Sequence, residues 1–310
     1  NQIGKYTFYK KGETGGYGQI NLVTKNEKEL YVLKTLQKEL INEKNIISFN
    51  KEIDIIYQLS TIHDNKYTPT IYASHKCENP KKLDKIDAKD EPYYVIDFYS
   101  RSLLFYYIEF PKVFIEKTIP EKYAKLIFKK ILKAIQFCHN NNICHLDIKP
   151  ENIIFDKAYN PIIIDFGLSE IINDSNNGIF EKERGTSFFK SPEMLEDKSF
   201  NGIKSDIFSL GVVLFKIVTG EYGFKVAKKE DNLYKLIIKG CEENSNFDEY
   251  WNEIEKNVTD QNLSKEFKEL YIKMVNYYED KRPDIGTILN DKWFKEIESC
   301  EEYIEKEVME

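Results

Sequence analysis

The chain has 310 residues, 41% apolar and 31% charged, enough to bury one large or two modest cores without help from a metal or disulfides. Its 45 Lys and Arg against 52 Asp and Glu give a net charge of −7, which excludes a nucleic-acid partner of the ordinary phosphate-neutralising kind and suits a basic peptide. No apolar run approaches the roughly 18 residues of a membrane-spanning helix, and five cysteines without a C-x-x-C pair read as free thiols, so a protein of the cytoplasm or nucleus is expected.

Short β-branched or aromatic runs at 7–9, 19–23 and 30–34, separated by Gly or charged turns, predict strands. Between the first two lies Glu13-Thr14-Gly15-Gly16-Tyr17-Gly18-Gln19-Ile20, a glycine-rich turn whose backbone N–H groups could approach phosphate oxygens; a plain hairpin turn is the alternative. Lys34 ends the third strand. After Glu52, Ile53, Ile56, Tyr57 and Ser60 fall at helical spacing, with Ile55 and Leu59 widening the stripe, so Glu52 is placed in the first turn of a helix. Two more strands are expected near 70–73 and 93–98, joined by a charged loop from Cys77 to Pro92.

From Leu103 the periodicity turns helical. Pro120-Glu121 opens a helix with Tyr123, Ile127, Ile131, Leu132 and Ile135 at three- and four-residue steps. Ser205-Asp206 opens another, almost wholly apolar to Val218 and therefore buried on all sides. A small β-rich segment thus precedes a larger helical one, with the crossover near 97–102.

Between those two helices stands the most informative stretch: His145-Leu146-Asp147-Ile148-Lys149-Pro150-Glu151-Asn152, then Asp165-Phe166-Gly167. Asp165 ends the apolar run Ile162-Ile163-Ile164, where an unpaired charge is expensive and a cation would compensate it. Asp147 is bracketed by Leu146 and Ile148. Either aspartate alone could be a turn cap; the two together with Lys149 and Asn152 fit phosphoryl transfer, which needs a hydroxyl-orienting group and oxygen ligands for a metal on the nucleotide. The pairs Cys138-His139 and Cys144-His145 do not match familiar zinc spacings, and His145 already belongs to this motif.

The first stretch matches H-R-D-L-x-x-x-N at every charged position except one, Leu146 standing for Arg, and the second matches D-F-G. With Ser191-Pro192-Glu193, the helix from Ser205 and Arg282-Pro283, the chain from about 6 to 294 resembles a eukaryotic-type serine/threonine protein kinase domain, nearest the calcium/calmodulin-dependent and AMP-activated branch. The resemblance implies an α+β bilobal kinase fold: a small antiparallel-sheet N-terminal lobe with one main helix, residues 1–98, and a larger helical C-terminal lobe, residues 99–310. It implies ATP and Mg2+ as cofactors, with Asn152 and Asp165 as metal ligands. Asp147 would orient and deprotonate the substrate hydroxyl, Lys149 would sit against the transferring phosphate, and Thr186 would join that pair. Gly15, Gly16, Gly18, Ile20, Val32, Lys34, Glu52, Ile96, Asp97, Tyr99 and Ile154 would be the ATP-binding positions, Lys34 gripping the α/β-phosphates and Glu52 positioning it. Arg282 would pair with Glu193.

Four departures bear on function. Leu146 replaces the arginine that in the family reads a phosphorylated activation segment, Val32 replaces the usual alanine above adenine and would narrow that slot, Leu103 stands where many relatives carry an acidic residue near ribose, and Glu13 replaces the first loop glycine. None removes a catalytic group. The expected function is a monomeric kinase acting on Ser or Thr of Arg-containing substrates, independent of activation-segment phosphorylation. A nucleotide-binding pseudokinase scaffold is the alternative; a small-molecule kinase is disfavoured because 185–193 resembles a peptide-docking segment.

Overall fold

The computed structural model describes residues 2–14, 18–36, 39, 41–77, 91–99, 119–181, 184–196, 198–257 and 262–295. Gly15, Gly16, Leu103 and the charged stretch 78–90 lie outside the described residues. The chain divides into two compact units, 1–100 with 162–169, and 101–161 with 170–310.

The first unit is built on six antiparallel strands: β1 (Gln2–Ile3), β2 (Tyr6–Thr14), β3 (Gly18–Thr24), β4 (Leu30–Leu36), β5 (Ile71–His75) and β6 (Tyr93–Asp97), ordered β1-β2-β3-β4-β6-β5. One face of the sheet buries Tyr6, Val23, Leu33 and Val95, with Ile3, Tyr31, Ala73 and Tyr93 packed against them. The two-residue alternation of a strand then sends Val32 and Lys34 to the other face. Register places Ile20 and Tyr94 on either side of Lys34, and Leu22 and Ile96 on either side of Val32.

In β2 the pairing shifts between Lys11 and Thr14, a bulge that sets Gly12 and Glu13 against Ile20. A Cβ on Gly12 would fall 2.7 Å from the Ile20 carbonyl oxygen, so only glycine fits there. This bulge is why the glycine stands one place earlier than the kinase loop pattern leads one to expect.

Helix α1 (Glu43–Ser60) begins nine residues before Glu52, which therefore lies in its third turn and not its first. The start is set by Asn42, whose side chain accepts a bond from the Asn45 N–H at 2.9 Å, and it is followed by a polar first turn without apolar periodicity. Ile46, Phe49, Glu52, Ile53, Ile55, Ile56 and Leu59 form the buried face. Tyr57, expected in that stripe, is 59% exposed, because at about 100° per residue it falls just outside the arc these buried residues span.

The second unit is mainly helical: α2 (Glu121–Asn140), α3 (Pro192–Leu195), α4 (Gly202–Thr219), α5 (Tyr234–Glu243), α6 (Asp248–Asn257), α7 (Lys265–Met274) and α8 (Ile285–Leu289). The expected start of the apolar helix at Ser205 moves to Gly202: Asn201 caps the Lys204 N–H, and Gly202 is pressed so close to Cys144 that a Cβ would lie 2.7 Å from its Sγ. From Ser205 to Thr219 every residue of α4 is buried, and Gly220 ends it in the left-handed region at φ 72°. Among the described residues no helix is long and apolar enough to cross a membrane.

Candidate active site

In the first unit, three strands and a helix converge on Lys34. It is 9% exposed, and its Nζ donates to Glu52 Oε1 at 2.8 Å and to Asp165 Oδ1 at 2.9 Å. Burial disfavours the ammonium, but Glu52, Tyr94 and Asp165 more than reverse this, holding the Lys34 pKa well above the ordinary lysine range. Burial pushes the Glu52 carboxyl up against the pull of Lys34. Asp165 sits at φ 63°, a strained conformation of the kind that collects at functional sites. Gly18 lies against the same lysine: a Cβ there would meet Lys34 Cε at 3.0 Å.

The sequence motifs did not single out Tyr94, whose hydroxyl donates to Glu52 Oε1 at 2.8 Å. Only the register of β4 with β6 could have found it. At the end of β6, the Asp97 carboxylate accepts from the Thr70 N–H at 2.7 Å and the hydroxyls of Tyr72 at 2.8 Å and Tyr99 at 3.3 Å. Its side chain braces the strand end.

In the second unit the motif residues converge on Asp147. The buried Asp206 of α4 accepts from the backbone N–H groups of His145 and Leu146, both at 2.8 Å, and lies 2.9 Å from His139 Nε2. This anchors the loop while Leu146 turns through φ 61°. Asp147 Oδ1 then accepts from the Thr186 N–H and hydroxyl, each at 2.8 Å; Oδ2 accepts from Asn152 Nδ2 at 3.2 Å and lies 2.8 Å from Lys149 Nζ. Lys149 also donates to Thr186 Oγ1 at 2.8 Å. Gly185, at φ 85°, allows this approach, since a Cβ would strike the Leu146 carbonyl at 2.7 Å. Ile154 is half-buried on the short strand Ile153–Phe155.

Each unit also offers a hard oxygen donor. Asn152 donates its amide N–H to the Asp147 carbonyl at 2.8 Å, which fixes the amide and turns Oδ1 away as an acceptor. The Asp165 side chain is 47% exposed. Carboxylate and amide oxygens are each of the donor type that hard divalent cations take.

Leu146 is 3% exposed and belongs to an apolar cluster with Cys144, Phe180, Met194 and Phe200, flanked by Ile172 and Ile203. Ile179–Phe180 pairs antiparallel with Phe200–Asn201, and Arg184 forms an ion pair with Glu170 while lying over the Phe180 ring. Behind it, Glu193 is held by both terminal nitrogens of Arg282 at 2.7 Å.

The protein kinase domain family matches residues 6–294, and the chain belongs to it. It is 30% identical to a probable serine/threonine-protein kinase of Dictyostelium discoideum over 94% of the chain and 18% of that protein. It is 25% identical to CBL-interacting serine/threonine-protein kinase 7 of Arabidopsis thaliana, over 97% of the chain and 62% of the relative. With a carbon catabolite-derepressing protein kinase of Candida tropicalis the identity is 27%, over 96% of the chain and 42% of the relative. The chain thus spans less than two thirds of the length of each. A protein kinase domain implies use of ATP and a divalent metal.

Proposed function

We propose that the chain transfers the γ-phosphate of ATP to Ser or Thr hydroxyls of proteins. The observation that carries this reading is the set of four bonds that aims the Asp147 carboxylate, two of them from Thr186. Asp147 orients the incoming hydroxyl and takes its proton, while Lys149 faces the transferring phosphoryl group. Lys34, steadied by Glu52, grips the α/β-phosphates. Asn152 and Asp165 would hold Mg2+, which when bound offsets the charge developing on the phosphates. Transfer of labelled phosphate from Mg·ATP to a peptide array tests the assignment. ATP binding without transfer would favour the pseudokinase reading instead.

The preferred substrate carries Arg a few residues before the acceptor Ser or Thr. Glu151 Oε2 is buried and, among the described residues, has no hydrogen-bond partner. The Glu151 residue as a whole is only partly buried, and a guanidinium bond to its carboxylate is worth about 1.5–3 kcal/mol. Replacing that Arg by Ala in a good peptide is expected to raise KM about tenfold or more, and Glu151→Gln to abolish the difference. Equal KM values for both peptides would remove this preference.

A further inference from the structure

Lys34 has one dry anchor and one wet anchor. The Glu52 side chain is 3% exposed and the Asp165 side chain 47%. If this lysine grips phosphate, as proposed above, the exposed contact is the one a nucleotide can share, and the buried contact must keep the ammonium in place. What keeps Glu52 itself in place is therefore a separate matter.

Glu52 Oε1 receives two donors, Lys34 Nζ and the Tyr94 hydroxyl, both at 2.8 Å. A carboxylate oxygen has two lone-pair directions, so this pair of bonds uses both and fixes the rotation of the group. Tyr94 is 2% exposed and cannot swing away. It stands directly opposite Lys34 in the β4–β6 pairing, and the lysine Nζ lies 5.8 Å from its ring centroid. From α1, Phe49, one helical turn before Glu52, packs on the same ring at 5.5 Å between centroids. Strand, helix and ion pair are thus joined at one phenol.

We infer that Tyr94 is a positioning residue for the phosphate-gripping lysine, acting through Glu52. With Tyr94 present, one Glu52 oxygen is held from two sides and the ammonium has a single resting place. Without the hydroxyl, the carboxylate can rotate and Lys34 can drift toward Asp165. Nucleotide affinity and the chemical step then suffer together, since the lysine no longer meets the phosphates in one position.

The test compares wild type with Tyr94→Phe, which keeps the ring and loses only the hydroxyl, each also in a Glu52→Ala background. The readouts are KM for ATP, KM for peptide, kcat, the Kd of ATP measured with Mg2+ and the melting midpoint. Tyr94→Phe is expected to lower kcat/KM for ATP about five- to twentyfold, the scale of one buried hydrogen bond to a charged group, with KM for ATP rising and KM for peptide unchanged. In the Glu52→Ala background the same change is expected to add less than about twofold, because the partner of the hydroxyl is gone. An unchanged KM and Kd for ATP in Tyr94→Phe overturns the inference, as does an equal loss in both backgrounds. A fall in kcat alone with a lowered melting midpoint marks a merely structural role and overturns it as well. If wild type binds ATP without transferring phosphate, the kinase reading falls and the Kd comparison still decides the role of Tyr94. A wild-type chain that does not bind ATP overturns both.

Discussion

Asp147 is served by donors on both carboxylate oxygens: Thr186 on Oδ1, and Lys149 with Asn152 on Oδ2. An amide has one acceptor and one donor end, so Asp147→Asn must turn an N–H₂ toward a donor on one side or the other. Transfer is expected to fall on the order of a hundredfold or more, with little change in melting, as checked by steady-state rates and calorimetry. Lys34→Met differs in kind. It also abolishes transfer, but it leaves Glu52 buried with only the Tyr94 hydroxyl, and the first unit is expected to lose about 3–5 kcal/mol, the cost of stranding one member of a buried ion pair. Asp165→Asn, whose side chain is half exposed, is expected to lose transfer without that destabilisation, so the melting midpoints of the two variants separate the roles. Asp147, Lys149 and Asn152 were legible because they lie within six consecutive positions of one motif. Tyr94 was not, since its partner is 42 residues away in sequence and is brought near by strand register and helix packing.

Among the described residues between Glu170 and Glu193, packing and pairing fix several positions. Phe180 enters the cluster around Leu146, β-pairing fixes Ile179 and Phe180, and Arg184 is already taken by Glu170. A leucine offers no donor to a phosphate, so modification of the segment gains at most a weak exposed pairing, under about 1 kcal/mol. Phosphatase-treated wild type, shown bare by mass spectrometry, is expected to keep its rate; a large loss restored by rephosphorylation would contradict this. Phe180→Ala is expected to cost about 3–5 kcal/mol of local packing and to reduce transfer, measured at saturating ATP and peptide, at least tenfold. The missing arginine was visible in the sequence. Its replacement was not, because Phe180, Met194 and Phe200 share no periodicity and meet only through tertiary packing. The same limit moved helix starts: α1 and α4 begin with polar or small turns fixed by Asn42 and Asn201, and apolar spacing is silent there.

At the scale of the whole chain, strands followed by helices announced an α+β protein, and what the order of residues did not disclose is how distant segments are tied. Residues 162–169 join the first unit, and Arg282 grips Glu193 across 89 positions. Arg282 is 1% exposed, donates to the carbonyls of Asn276, Lys204 and Tyr277 as well, and lies 5.0 Å from the Phe208 ring centroid. Arg282→Ala strands Glu193 and is expected to destabilise the second unit by about 3–5 kcal/mol. In the double variant Arg282→Met, Glu193→Leu no charge is stranded, and a methionine can keep contact with Phe208. Recovery is expected to be partial, because three backbone carbonyls still lose a donor, each worth about 1 kcal/mol net. Both tryptophans, Trp251 and Trp293, lie in the second unit, so urea unfolding followed by their fluorescence reads this unit alone. A double variant as unstable as Arg282→Ala would mean that the carbonyl bonds dominate; one as stable as wild type would mean that the ion pair contributes no net stability and only fixes where Glu193 and the segment before it sit.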